Sequence, residues 1–405
     1  MLTEKPPLHP RRRPEILAAV QRILAEGAWT RLEGAPETEA DLRAFHGGER
    51  EVWWLSSGTA ALEAILIGHG IGPGDEVVTT PYTWGATVSA VLAIGAVPVF
   101  ADVDPLTGLL DPDDVPARLT PRTKAVLGVH LFGRPFAADR LRALCDARGL
   151  LLLEDGSQAH GARLHGRRVG AFGHAAAFSC MAYKPLGGTE GGYALFADPA
   201  AAERAYLHGK HPRGLDPARA TALAAEGLLD SLQLGWRPCA LGGELARLAL
   251  PFLDEENTAR RANAEHLRTL LADLPGVSLP PDPPGAESVH HLMSLVYDES
   301  ATGLPRAEFL ERLRPLGVET FVYIPTPIHR LRRLDWTDGS QPPVFWHRQL
   351  RESGIRYNTT SLPGAERRSA TSFEMGWNWT EPAPRAMEQL AAALRSAAGA
   401  PVPRS

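Results

Sequence analysis

The chain has 405 residues, of which 44% are hydrophobic and 22% charged, with a formal net charge of −5. That balance excludes a disordered polyelectrolyte, and no apolar run reaches the roughly 18 residues that a membrane helix needs. A slightly acidic chain offers no basic surface for nucleic acid, so neither nucleic acid nor membrane is expected as a partner.

In chain order, residues 14–26 read as a short helix, followed by an irregular lead-in from Gly27 to Gly48 with a helical piece at Glu37–Phe45. From Glu51 the pattern becomes regular. Glu51–Leu55 predicts a strand, Ala60–His69 a helix, Asp75–Thr80 a strand, Trp84–Ile94 a helix and Pro98–Val103 a strand. Lys124–His130, Leu150–Asp155, Ala175–Cys180 and Gly192–Asp198 continue the strands, with a helix at Ala137–Arg148. Short apolar strands alternating with helices predict an α/β fold, a mostly parallel sheet sandwiched by helices. Beyond it come a helical region over Pro217–Glu265, a Pro-rich connector at Pro275–Pro284, strands at His291–Tyr297 and Val318–Tyr323, and helices near Arg306–Leu316 and Pro384–Ala398. The expected division is an N-terminal arm and helix (1–26), a large domain (27–255) and a smaller C-terminal α+β domain (256–405).

Three cysteines, Cys145, Cys180 and Cys239, form no CxxC pair, so neither a disulfide framework nor a zinc cluster is expected. The opening residues show no apolar stretch behind their charges, which argues against a secretory signal and for a reduced, cytoplasmic setting. Of the 42 basic residues only Lys5, Lys124, Lys184 and Lys210 are lysines, the mark of an arginine-favouring coding bias. Chemistry that requires a primary amine therefore has four candidates.

In open α/β sheets ligands sit beyond the carboxyl ends of the strands, so the polar residues there are the candidates. Ser57-Gly58-Thr59-Ala60 stands at a strand-to-helix junction, either an anion site or an ordinary N-cap. No Walker pattern and no GxGxxG opening a helix is present, against nucleotide hydrolysis and a dinucleotide site. Glu154-Asp155 ends an apolar strand, where a carboxylate either caps the next segment or holds a ligand's cation. Lys184 leaves a strand into Pro185-Leu-Gly-Gly-Thr-Glu-Gly-Gly192, and a lysine held there can lose its proton and form a Schiff base; the alternative is a structural turn with an exposed lysine. Trp84 is either a ring-stacking aromatic or helix core. His208 and His211 lack an evident third metal ligand, so no metal is expected and a mobile loop is the better reading. Arg330, Arg332 and Arg333 either meet a nucleotide diphosphate or line a solvated loop. Together, an amine, an acid, an anion site and an aromatic face are what pyridoxal 5′-phosphate requires.

These pieces resemble the DegT/StrS family of sugar aminotransferases, of fold type I of the pyridoxal-phosphate enzymes. The resemblance is carried by Ser57-Gly-Thr-Ala-Ala-Leu62, Gly72-Pro-Gly-Asp-Glu-Val77, Pro98-Val-Phe-Ala-Asp-Val-Asp104 and Thr120-Pro-Arg-Thr-Lys-Ala125. It continues through His130-Leu-Phe-Gly133, Gln158-Ala-His-Gly161, Phe178-Ser179, Lys184 and Glu190-Gly-Gly192, and more loosely through Tyr323-Ile-Pro-Thr-Pro-Ile-His329 and Leu362-Pro-Gly-Ala-Glu366. It implies a catalytic Lys184 that forms the Schiff base and shuttles a proton, with Asp155 pairing with the pyridine nitrogen. It further implies that Gln158 meets the ring's 3-oxygen, that Trp84 stacks on the ring, that Gly58, Thr59 and Ser179 hold the phosphate, and that Ala60 also belongs to the cofactor site. A dimer partner usually adds an asparagine in a Gly-x-Asn-x-Arg stretch; here Gly235-Trp-Arg-Pro-Cys-Ala240 lacks it, and Arg237 is the substitute. The family's dehydratases carry histidine where this chain has Lys184. The resemblance implies a homodimer with active sites at the subunit interface, moving an amino group from glutamate or glutamine to a keto group of a sugar nucleotide or cyclitol in secondary metabolism. Its rivals are an elimination or aromatisation on the same scaffold, and a non-catalytic cofactor-binding regulator. Substrate-facing residues are expected in the lead-in and in the 205–240 and 320–335 segments.

Overall fold

A computed structural model describes residues 13–27, 35–209, 217–227, 232–340, 342, 344–376 and 379–399. Lys5, Lys210, His211 and the opening residues read above lie outside them.

Seven strands form the main sheet, in the order Glu51–Leu55, Gly192–Phe196, Ala175–Ser179, Leu151–Asp155, Thr123–Val129, Glu76–Thr79 and Val97–Phe100. Gly192–Phe196 runs antiparallel to both its neighbours, whereas the five strands from Ala175–Ser179 to Val97–Phe100 are parallel. The mostly parallel sheet read from the sequence is therefore present, with one reversed strand. Its strands are short apolar runs because both faces are covered. Ala61, Ile65, Val91 and Ala205 pack one core, and Val78, Val126, Leu141 and Leu152 belong to another. The Gly58–Gly68 helix is apolar on nearly every side, Ala-Ala-Leu and Ala-Ile-Leu included, so it is buried rather than amphipathic.

The C-terminal part contains a four-stranded antiparallel sheet, in the order Val277–Ser278, Leu292–Tyr297, Ser372–Gly376, Thr320–Phe321. It shares a core with the Leu253–Leu270, Arg306–Leu313 and Pro384–Ala397 helices through Leu267, Leu295, Phe309, Phe373 and Leu390. Ile324, Ile328, Leu350, Tyr357 and Leu362 instead join the core of the main sheet.

Several local expectations need correction. The helical region over Pro217–Glu265 is broken: helices cover Pro217–Ala225, Ala240–Ala249 and Leu253–Leu270, with an irregular stretch at 232–239. Only Thr320–Phe321 of the strand expected over Val318–Tyr323 is paired, and the Ser372–Gly376 strand and the Pro199–Gly209 helix went unread. His208 belongs to that helix, its Nδ1 bonded to Arg204 O at 2.8 Å, rather than to a mobile loop.

Candidate active site

Three chain segments converge because their strands end at the same sheet edge. Leu55 leads into Ser57-Gly58, Asp155 ends the central strand, and Ser179 ends the next one, five residues before Lys184. Between them lies a cavity of about 750 Å³ lined by Gly58, Thr59, Trp84, Asp155, Gln158, Ser179 and Lys184, with Tyr323 and Phe321 from the C-terminal part.

The anion cradle is built from backbone. Ser57 caps the helix, its Oγ accepting from Ala60 N at 3.0 Å. The Gly58 and Thr59 amides sit in the helix's first turn, where no carbonyl precedes them to accept. Gly58 leaves no room for a side chain here without displacing a neighbour, because a Cβ on it would lie 2.5 Å from Ser179 Cβ. Its absence of a side chain brings the helix start against the Ser179 hydroxyl. Ala60 is the exception among the expected cofactor-site residues: it is buried, does not line the cavity, and Ser57 already takes its N–H.

Glu154 and Asp155 are adjacent in sequence but face opposite sides of the strand. Glu154 is fully buried and accepts from His130 Nε2 at 3.0 Å, Gly170 N at 2.7 Å and Gly173 N at 2.5 Å. Burial pushes its carboxyl up, yet these donors outweigh burial and hold it below the ordinary carboxylate range. It is a structural anchor. Asp155 faces the cavity, oriented by Thr87 Oγ1 at 2.8 Å on Oδ2 and by Ser157 N at 3.0 Å on Oδ1.

Lys184 rides on a loop clasped at its base. Cys180 N donates to Gly191 O, Gly188 N to Cys180 O, Ala182 N to Thr189 O and Lys184 N to Met181 O, at 2.8–3.2 Å. Among the described residues no hydrogen bond holds the Lys184 amine. Burial lowers its pKa from 10.5 to about 8, partly opposed by the Asp155 charge. A small change in proton demand thus switches it between ammonium and nucleophilic amine.

Trp84 precedes the Ala86–Ala93 helix and is 58% exposed, so it is cavity wall and not helix core. Its ring lies 5.6 Å from that of Tyr323. Gln158 lines the floor, its Oε1 accepting from Phe132 N at 2.7 Å. Arg237 is exposed and does not line its own chain's cavity. Of the two readings open for the 330–333 arginines, the structure favours a surface loop: Arg330 pairs with Glu366 at 2.5 Å, Arg332 with Asp338 at 2.8 Å, and Arg333 packs over Trp346. Among the described residues no cluster of potential metal ligands exists, and no helix is long and apolar enough to cross a membrane.

Sequence reasoning did not single out Thr87, Ser157 or His291, and did not place Tyr323 in the cavity. Thr87 is the second residue of a helix, with nothing to mark it. Tyr323 stood in a matched segment, but its approach depends on the C-terminal sheet. Of the segments expected to face substrate, 320–335 lines the cavity through Phe321 and Tyr323, while no described residue of the lead-in or of 205–240 does.

Comparison with known proteins places the chain in a family. The sequence profile of the DegT/DnrJ/EryC1/StrS aminotransferase family matches residues 10–345. Over 321 residues the chain is 38% identical to the erythromycin biosynthesis sensory transduction protein EryC1 of Saccharopolyspora erythraea, covering 78% of this chain and 82% of that one. It is 36% identical over 324 residues to the dTDP-3-amino-3,4,6-trideoxy-alpha-D-glucose transaminase of Streptomyces venezuelae (78% and 79% covered), and 39% over 279 residues to the L-glutamine:2-deoxy-scyllo-inosose aminotransferase of Streptomyces paromomycinus (66% and 65%). The fold is similar to S. venezuelae DesV solved with a ketimine intermediate, with a TM-score of 0.80, 32% identity, and 96% and 95% of the two chains covered.

Proposed function

Because this chain belongs to the DegT/DnrJ/EryC1/StrS aminotransferase family, we propose that it moves an amino group from glutamate or glutamine to a keto group of a sugar nucleotide or cyclitol, using pyridoxal 5′-phosphate. The chain is an aminotransferase. The observation that carries the cofactor assignment is Lys184, a desolvated amine without a hydrogen bond, sharing a cavity with a carboxylate, an aromatic face and a backbone anion cradle. The names of the transaminase and inosose aminotransferase relatives support the substrate class.

The residues fit the group. A cradle that a Gly58 Cβ would fill accepts a phosphate, with the Gly58 and Thr59 amides and the Ser179 hydroxyl as donors. Trp84 would cover the ring, and Gln158 would donate to its 3-oxygen. When bound, the cofactor supplies an electron-withdrawing ring that stabilises negative charge on a substrate carbon. Asp155, held by Thr87 and Ser157, would pair with the ring nitrogen. Lys184 Nζ takes a proton from the donor's α-carbon and returns one to the acceptor, a task suited to a pKa near the working pH.

The assembly that completes this reading is a homodimer with active sites at the interface, in which Arg237 serves the phosphate of a second copy. Its exposure, outside its own chain's cavity, supports that role. Domains at 27–255 and 256–405 and a cytoplasmic setting belong to the same reading.

The deciding experiment is spectral. Protein loaded with pyridoxal phosphate should show a visible band that glutamine or glutamate bleaches, and Lys184→Ala should lack it. A wild type that stays colourless, or a band that neither donor bleaches, refutes the reading; product analysis with a keto sugar or cyclitol must then show a new amine. Arg237→Ala should weaken cofactor affinity, and unchanged affinity removes Arg237 from the site.

A further inference from the structure

Phe132 and Tyr323, to which no role has been given, meet Gln158 at one corner of the cavity. Phe132 has φ 57° and ψ 15°, a left-handed backbone that costs a bulky residue about 1–3 kcal/mol and survives only where its surroundings over-determine it. They do so here. Phe132 O accepts from His291 N and Gly133 O from Val289 N, both at 2.9 Å. Gly133, at φ +85°, has no room for a side chain, since a Cβ would lie 2.7 Å from Val289 Cγ2.

What the strained turn delivers is one N–H, that of Phe132, aimed at Gln158 Oε1 at 2.7 Å. A backbone N–H can only donate, so the amide atom facing it is the oxygen, and the Gln158 NH2 group points the other way. There Nε2 donates to the Tyr323 hydroxyl at 3.1 Å. The Phe132 and Tyr323 rings meet edge to face with centroids 5.5 Å apart. Tyr323 is held from behind, its N–H donating to Glu374 Oε2 at 2.8 Å, while Glu374 Oε1 accepts from Ser294 Oγ at 2.7 Å. Ser294 and Glu374 are both fully buried.

We propose that Tyr323 is a positioning residue for the cofactor, acting through Gln158: with the Phe132 N–H it locks the amide so that the remaining Nε2 hydrogen meets the ring's 3-oxygen. The proposal rests on the reading of this cavity as a pyridoxal-phosphate site. An amide NH2 has two hydrogens; Tyr323 takes one, which leaves one for the ring. Burial and the Asp155 charge keep the Tyr323 phenol protonated, so its oxygen stays a neutral acceptor for Gln158. The same bond ties the C-terminal part of the chain to the cavity floor.

Tyr323→Phe removes the hydroxyl and keeps the ring packed against Phe132 and Trp84. A donor at the 3-oxygen favours its anion and lowers the proton affinity of the neighbouring nitrogen, so losing that donor raises the pH midpoint of the bound cofactor's visible absorption. This midpoint, the dissociation constant for pyridoxal phosphate and the melting temperature are measured for wild type, Y323F, Q158A and the double variant. We expect Y323F to raise the midpoint and to weaken cofactor binding roughly two- to ten-fold, the scale of one hydrogen bond. Q158A should shift both further, and the double variant should match Q158A, because the two residues act as one device. A Y323F midpoint equal to wild type, whatever the melting temperature, overturns the proposal, as do shifts that add in the double variant. A wild type that binds no pyridoxal phosphate refutes the underlying reading instead.

Discussion

Lys184 imposes a cost on the folded chain that can be measured with no cofactor present. In the unfolded chain the amine keeps its ordinary pKa of 10.5, whereas burial lowers it to about 8 in the folded one. Between these values the unfolded state binds more protons, so folding stability rises with pH through that window, and below it the deficit is constant. The displacement corresponds to at most about 3 kcal/mol, at 1.36 kcal/mol per pH unit. Lys184→Met keeps the length of the side chain and removes the charge. In urea unfolding of cofactor-free protein, the variant should gain on wild type by at most about 3 kcal/mol at pH 7, and this advantage should shrink by about 2 kcal/mol by pH 9.5. Any constant packing difference cancels between the two pH values. Parallel stability–pH curves for the two proteins would refute the argument that the cavity desolvates this amine.

Three further outcomes follow from the site. Glu154→Ala should destabilise the protein by about 3–5 kcal/mol in denaturant titration, because it strands His130 and the Gly170 and Gly173 amides in the core; a loss below about 1 kcal/mol denies the anchor role. Asp155→Asn should leave the melting temperature within a few degrees and cofactor binding intact while lowering kcat by about 100-fold or more, on the scale of a lost electrostatic partner. Near-normal turnover removes Asp155 from the chemistry. Gly58→Ala forces a methyl group against Ser179 and should weaken pyridoxal-phosphate binding by about ten-fold or more, at a cost in stability of about 1–3 kcal/mol. Unchanged affinity shows that the cradle is not where phosphate sits.

The sheet was legible because its strands carry their own signal: Leu151-Leu-Leu and Ala175-Ala-Ala-Phe are short apolar runs that only a doubly covered sheet accommodates. Lys184, Asp155, Gly58 and Ser179 were legible for the same reason, since each closes or follows one of those strands. Ala60 could not be told from its neighbours, because a helix start exposes several amides and nothing in the letters says that Ser57 Oγ takes this one. Tyr323, Thr87 and Phe132 act through contacts 26 to 165 residues away along the chain, which no local pattern encodes. The Ser372–Gly376 strand was hidden by the buried Glu374, which reads as surface until its partners Ser294 and Tyr323 are seen. Among its described residues, the run from Ile324 to Leu362 holds only short turns and the seven-residue His347–Ser353 helix, yet its apolar residues close the core on the main sheet.

The edge pairing of the main sheet also has a consequence for the order of assembly. Leu55 lies opposite Gly192, so the helix start at Gly58 meets Ser179 only after a strand near the beginning of the chain has found one well over a hundred residues later. Such long-range closure is slow relative to local helix formation, because loop entropy is lost before the contact compensates it. The parallel strands from Glu76 to Asp155 can pair while the cradle still does not exist. Retention of a phosphate-bearing ligand during refolding would therefore time the docking of this edge strand, and its onset would mark the last step in building the sheet rather than the first.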